Sequence, residues 1–442
     1  MHPLCCILRT ALMRLLPYLF LALIQMNTFT YIFLFALVAS YSIQFWLSQR
    51  QTNHVQQHRD AVPEAFKQSI SLEAHQKAAD YTLDKIKLGT IDGLFGLVVL
   101  LLLTFGGGIS FAFDFWQGIE LSPIMTGVCA MGSLFLVMSV LEIPSSLYQT
   151  FVIEEKFGFN KSSYGQFFKD HIMQLALAAA IGMPLLAVIL WVMDSVGSLW
   201  WLYAWAILMS VSLLMSWLYP TVISPLFNKF TPMQEGELKN RIQGLLARCG
   251  FNSQGIFIMD GSKRSGHGNA YFTGLGNNKR IVFFDTLVES LDDEELEAVL
   301  AHELGHFKCK HVIKMLIASS VMTLISFGIL GWIIDKEWFF SGLGVNNTSH
   351  AAALLLFMLV SPAFTLFMQP ISAYFQRQFE FEADSFAAKN AQASKLISGL
   401  VKLYEENANT LTPDPLYSSF HYSHPPAAIR IAHLESTLQS AG

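Results

Sequence analysis

Residues 293–334 read DEELEAVLAHELGHFKCKHVIKMLIASSVMTLISFGILGWII, and the two halves of that stretch demand different surroundings. In the first half Leu296, Val299, Leu300, Leu304 and Phe307 recur at three- and four-residue steps among charges, the pattern of a helix with one buried face. From Val312 the chain turns apolar for long enough to cross a bilayer, with only Lys314 charged and close enough to one end to snorkel. A water-facing helix thus runs straight into a membrane span.

The first helix carries chemistry. His302 and His306, four apart, lie one turn above each other, so their imidazoles can grip a single ion. Glu303 sits about 100° round the helix from His302, placed to act on a water beside the ion rather than to bind it. This is a zincin arrangement, which points to zinc-dependent peptide hydrolysis. Chance would supply the motif roughly 0.02 times in a chain of this composition. Ser290-Leu-Asp-Asp293 reads as a capping box opening the helix, with Glu294, Glu295 and Glu297 at its positive end and Lys308, Lys310 and His311 at the other. Cys309 reads as a helix-end residue.

Composition extends the membrane reading to the whole chain. It is 53% hydrophobic and 14% charged, well below the charge of an ordinary soluble domain, and 13% aromatic, which suits interfacial belts. Its net charge of −5 forms no basic stripe, so nucleic acid is excluded as a partner. The five cysteines show neither CxxC spacing nor a disulfide framework. Seven stretches are long and apolar enough to span, near 29–47, 94–113, 124–141, 172–193, 199–218, 312–334 and 351–368. Residues 1–25, with Arg9 and Arg14 ahead of an apolar run to Ile24, imitate a signal peptide without its small-x-small cleavage site and are set apart as an N-terminal extension. Lys and Arg accumulate on one side of these spans, with Lys336 alone on the other, which places the motif on the cytoplasmic side. The expected organisation is five spans in 26–218, a cytoplasmic zincin domain in 219–311, two spans in 312–375 and a C-terminal cytoplasmic part in 376–442.

Inside the zincin block, Glu235 to Cys249 reads as an amphipathic helix stopped by Gly250, and Gly255 to Asp260 as a short strand. Residues 269–274 and 280–285 bracket a hairpin turn at Gly276-Asn-Asn-Lys279. A strand edge beside the motif helix can receive an extended peptide through backbone hydrogen bonds. Asn269 and Tyr271, two apart, face one side of that strand.

Two histidines need at least one further ligand and an open position. A metzincin is excluded, because its third histidine would fall on Val312. After the last span, Arg377-Gln-Phe-Glu-Phe-Glu-Ala-Asp384 reads as a helix on which Glu380 and Asp384 share a face and Glu382 points away. Glu380 is the third ligand on this reading, and Asp384 accepts the Nδ1–H of a ligating histidine and fixes its tautomer. Two neutral histidines and one carboxylate leave a bound Zn²⁺ with net charge +1, which lowers the pKa of water to about 7. For the developing oxyanion, His421-Tyr-Ser-His-Pro-Pro426 offers His424, with Arg430 six residues on.

These elements together resemble the integral-membrane CAAX prenyl proteases. The likeness runs from about Thr28 to the end. It is carried by Phe227-Asn-Lys-Phe-Thr-Pro232, Asp260-Gly-Ser-Lys-Arg-Ser265, Asn269-Ala-Tyr-Phe272, Lys279-Arg-Ile-Val282, Phe284-Asp-Thr-Leu287, the motif helix, Phe379-Glu-Phe-Glu-Ala-Asp384 and His421-Tyr-Ser-His-Pro-Pro426. The resemblance implies a mostly α fold, seven transmembrane helices around a water-filled chamber, with a cytoplasmic zinc-protease domain holding a small β-sheet. It implies one Zn²⁺ on His302, His306 and Glu380, with Glu303 as base. Asn269 and Tyr271 would hold substrate, His424 would assist at the oxyanion, and Arg430 would support from behind. The implied partners are a peptide or protein substrate, prenylated in this family, and the lipid bilayer. Short outward loops fit a compact bacterial protein of the inner membrane, the endoplasmic reticulum being the counterpart in a eukaryote, and allow a broader quality-control role. A site-2 type intramembrane protease would carry its motif inside a span. A channel with structural zinc would need four protein ligands and no Glu303.

Overall fold

The computed structural model describes residues 26–273 and 279–441. The reading of residues 1–25, and the turn of the expected hairpin, lie outside these. Seven described helices are long and apolar enough to cross a membrane: Thr28–Gln57, Leu72–Leu103, Pro123–Glu154, Tyr164–Ser195, Gly197–Phe227, His311–Ile333 and His350–Asn390. Each coincides with an expected span, but most run well past the apolar window into the polar sequence beside it. The second differs most. Its helix begins at Leu72 and ends at Leu103, and a left-handed Gly107 separates it from a short helix Gly108–Gln117. The expected span 94–113 therefore straddles a break. Gly106 and Gly107 make it possible: a side chain at 106 would run into the Leu102 carbonyl, and φ at 107 is +79°.

Large apolar side chains such as Phe35, Ile172 and Trp332 stand outward on the spans. Between the helices, Phe33, Phe113, Met131, Leu190 and Leu355 fill a shared core at the end away from the metal-site motif. Asn27 ties that end together. It caps the first span and donates from Nδ2 to the Trp338 carbonyl at 2.9 Å, while Thr30 donates to the carbonyl of Gly342 at 2.8 Å.

At the other end lies a second core, around Ile242, Leu245, Ile281, Phe283 and Leu304. Its sheet has strands β1 (Phe230–Pro232), β2 (Gly255–Met259), β3 (Ala270–Thr273) and β4 (Arg280–Phe284) in the order β1-β2-β4-β3. β3 and β4 pair antiparallel, Ala270 opposite Phe283, as a hairpin requires. β2 lies parallel to β4, and β1 adds antiparallel to β2. Sequence reading missed β1, a three-residue strand that ends in Pro232. On an edge strand its missing N–H costs no internal ladder bond. β3 is the other edge.

The motif helix spans Asp293–Lys308. Its cap is Asp292, not Ser290: Asp292 Oδ1 accepts from the Glu294 and Glu295 amides at 3.0 and 2.8 Å, and Glu295 Oε2 accepts from the Asp292 amide. Ser290 closes the preceding helix Asp285–Ser290. The motif helix packs against the lower half of the seventh span with almost no gap. A Cβ on Gly305 would lie 2.9 Å from Ala383 Cα and 3.0 Å from its carbonyl oxygen. In an exposed helix, Gly→Ala stabilises by about 0.5–1 kcal/mol. Here Gly305→Ala is expected to destabilise by about 1–3 kcal/mol through forced separation of two packed helices, read as a lowered melting temperature of the purified protein in detergent.

Candidate active site

Three side chains from two helices converge where these helices meet. His302 Nε2 and His306 Nε2 lie 3.2 Å apart. Glu380 faces both, with Oε2 3.4 Å from His302 Nε2 and Oε1 3.2 Å from His306 Nε2. Glu380 stands on the helix that continues from the seventh span, Gln369–Asn390. His302, His306 and Glu380 together form a group able to hold a metal ion.

Hydrogen bonding on the far side of each ring fixes which nitrogen is bare. His302 Nδ1 lies 2.8 Å from Asp384 Oδ1, and Asp384 also takes a two-pronged bond from Arg430, 2.9 Å from Nε and 2.6 Å from Nη2. A carboxylate can only accept, so Nδ1 carries the proton and Nε2 presents a lone pair. His306 is set by a route the sequence did not disclose. Its Nδ1 lies 3.1 Å from His311 Nδ1, and His311 Nε2 lies 2.9 Å from Glu382 Oε2. Donation from His311 Nε2 to Glu382 leaves His311 Nδ1 as an acceptor, so His306 donates from Nδ1 and keeps Nε2 bare. His311 is fully buried and stacked on Phe379, with ring centroids 4.4 Å apart. It reaches His306 because Lys310, at φ +59°, turns the chain sharply between the motif helix and the sixth span. The expectation that Glu382 points away from the Glu380 face is met, and it points to this second chain instead.

Two bare nitrogens and a carboxylate facing one another invite a cation. Glu380 Oε2 is buried and has no hydrogen-bond partner among the described residues. Burial and the Arg430 charge would push the His302 imidazole down, yet its contacts with Asp384 and Glu380 outweigh them and hold it at about 9, so the acceptors around Nε2 favour a cation there, a proton or a metal ion in its place. The pocket therefore draws positive charge to the place where the lone pairs meet, and two histidines with one carboxylate are a donor set that suits a metal ion with an open position. Glu303, on the same helix but turned away from the ligand face, is held above the usual carboxylate range by burial.

Glu303 opens into a cavity of about 800 Å³ between the sheet, the C-terminal helices and the first two spans. Asn269, His424 and Arg430 also line it, as do Gly268 and Ala270 at the start of the edge strand β3. His424 Nε2 lies 3.3 Å from Glu380 Oε1, its side chain 65% exposed toward the cavity. Its loop is held by Arg377, one turn before Glu380, which donates to the carbonyls of Ser419 and Tyr422 at 3.0 and 2.8 Å. Arg430 is almost fully buried and bonded to Asp384. Tyr271 stands apart: its hydroxyl approaches Met259 Sδ at 3.9 Å and its ring meets Phe284 edge-on, bracing the sheet rather than lining the cavity. The start of β3 is anchored to the third span, where His267 Nε2 lies 3.3 Å from Glu154 Oε2, and to the end of the helix Ala393–Glu406, where Asn407 Oδ1 accepts from the Gly268 amide at 3.1 Å. Sequence spacing gave no signal for Arg377, His311 or this anchor.

Residues 51–229 match the family described as CAAX prenyl protease N-terminal, five membrane helices, and residues 232–438 match peptidase family M48. The chain is 34% identical over 431 residues to CAAX prenyl protease 1 of Saccharomyces cerevisiae, covering 90% of this chain and 93% of that protein. It is 32% identical over 473 residues to the human CAAX prenyl protease 1 homolog, covering 95% and 98%. The crystal structure of Ste24p from S. mikatae superposes with a TM-score of 0.84 at 34% identity, covering 92% of this chain and 99% of that one.

Removing His311, or the charge of Asp384, should loosen the metal without removing a ligand. His311→Ala and Asp384→Asn are each expected to weaken metal binding by about 10–100-fold, measured by competition with a chromophoric chelator. Asp384→Asn should also cost about 3–5 kcal/mol of stability by stranding the buried Arg430, whereas His311→Ala should not.

Proposed function

This chain belongs to the CAAX prenyl protease family of membrane metallopeptidases, and from that premise we propose that it cleaves the C-terminal tail from proteins whose cysteine carries an isoprenyl chain. The observation that carries the site assignment is the buried Glu380 carboxylate facing both imidazole Nε2 atoms at 3.2–3.4 Å, with a proton acceptor behind each ring. We assign zinc as the metal and His302, His306 and Glu380 as its holders.

When bound, zinc supplies Lewis acidity, making water acidic enough to attack at neutral pH and polarising the scissile carbonyl. The chain's own groups do the rest. An extended peptide adds to the open edge of β3, its backbone pairing with the strand and its position set by Asn269 at the cavity wall. Glu303 takes a proton from the attacking water and passes it to the leaving amine. The raised affinity of its carboxyl for protons, set by burial, suits both halves of that task. His424 donates from Nε2 to the oxyanion as it develops, from a loop that Arg377 holds in place. Asp384 and Arg430 keep His302 in its working tautomer. Tyr271 acts indirectly, keeping β3 seated on the sheet.

The concentration of Lys and Arg on the side of the motif supports a cytoplasmic active site. One comparison tests chemistry and specificity together. Purified protein and Glu303→Gln are supplied with zinc and offered one CAAX peptide in farnesylated and unmodified forms. Glu303→Gln is expected to lose at least a thousandfold in kcat while binding peptide normally. Cleavage undiminished in this variant overturns the role of Glu303, and equal cleavage of the two peptides by the parent protein replaces prenyl processing with broad membrane proteolysis.

A further inference from the structure

A second cavity, of about 540 Å³, continues the first into the membrane half of the molecule. Gln44 lines both. Along the first span, Ser48 and Gln51 face the active-site cavity and Tyr41 and Leu37 face the second; along the second span, Ile86 and Gly89 face the former and Gly96 and Val99 the latter. The order is the same on both helices, so the two spaces are stacked end to end.

The wall of the second cavity changes character with depth. Nearest the active site it carries Gln44, Asp92, Glu142 and Ser145, with Ser145 Oγ donating to Asp92 Oδ2 at 2.6 Å. One to three turns further on, the same faces of the same helices present Leu37, Leu103 and Met138, joined by Leu359 of the seventh span. From Asp92 to Leu103 the apolar descent is about 16 Å at helical rise. The volume lies within the range of about 300–1,000 Å³ usual for small-molecule sites. A polar mouth opening on a protease cavity, over a deep apolar floor, fits a ligand that is peptide at one end and hydrocarbon at the other.

We propose that this cavity receives the S-isoprenyl chain of the substrate, the peptide crossing the first cavity along β3 while the thioether passes Gln44 and the chain lies against Val99, Leu103 and Met138. The assignment rests on the prenyl-protease reading above and deepens it. It gives specificity a place: burial of each methylene favours the prenylated peptide by about fourfold, a gain that a peptide without the chain does not receive.

Gly96 offers a clean test, because a Cβ built there meets nothing within 4 Å and a larger side chain enters the cavity without disturbing the helix. The full-length zinc-loaded protein, in nanodiscs, is given one peptide carrying S-methyl or S-prenyl groups of one, two or three isoprene units. In the parent protein kcat/KM should climb with chain length. In Gly96→Phe the ratio of the three-unit to the S-methyl peptide should fall at least tenfold, while a one-unit peptide keeps most of its advantage over S-methyl. Gly182→Phe, on the fourth span and equally free of clashes, should keep the parent ratio. A length-dependent parent protein whose ratio survives Gly96→Phe overturns the pocket and leaves prenyl specificity standing, as does loss of all peptides in equal proportion. A parent protein indifferent to chain length removes the prenyl reading, and the pocket with it.

Discussion

Two imidazole lone pairs aimed at one point repel each other, and the architecture around the site exists to hold them there. Each is enforced from behind by a proton acceptor: Asp384 for His302, and His311 backed by Glu382 for His306. Both carboxylates ride on the helix that carries Glu380. That single element therefore supplies a candidate ligand and the polar groups behind both others, and it can do so only at close range. Gly305 sets the range by letting the Ala383 backbone approach where any side chain would keep it away.

How much of this was legible depends on whether the signal lay in local spacing or in tertiary contact. His302, Glu303, His306, Glu380 and Asp384 were legible because each pair shares one helix and the 3.6-residue repeat fixes which side chains meet. The seven spans were legible because a bilayer demands a length. Their ends were not, since polar sequence continues the helices once the soluble domain covers it. The break at Gly106–Gly107 was hidden inside a run that satisfies hydropathy on either side. His311 was noticed only as charge at a helix end. Its contact with His306 depends on the left-handed turn at Lys310, and nothing in the residue types there announces a positive φ. β1 was invisible because a three-residue edge strand ending in proline has neither periodicity nor length to betray it.

The same distinction separates Asn269 from Tyr271. Period-two alternation puts them on one face of a strand, but β3 begins at Ala270: Asn269 lies just ahead of it at the cavity, while Tyr271 reaches across β4 to Met259. The network of Glu154, His267 and Asn407 extends the point. It joins residues far apart in the chain, and its effect is to fix the edge strand to the membrane helices, so that the cavity wall is built by both halves of the protein at once.

Glu380 shares one rod with the seventh span, from His350 to Asn390, relieved only by a tight turn at Leu366–Met368. The carboxylate hangs roughly 18 Å beyond that turn. Tilting the span by about 5° would carry it some 1.5 Å if the turn transmits the motion, against a tolerance of about 0.2 Å for metal–ligand distances. Helices adjust their tilt to the thickness of the surrounding lipid. The seating of the seventh span and the seating of Glu380 are thus one mechanical matter, and the close contact of Gly305 with Ala383 makes the motif helix follow the same rod.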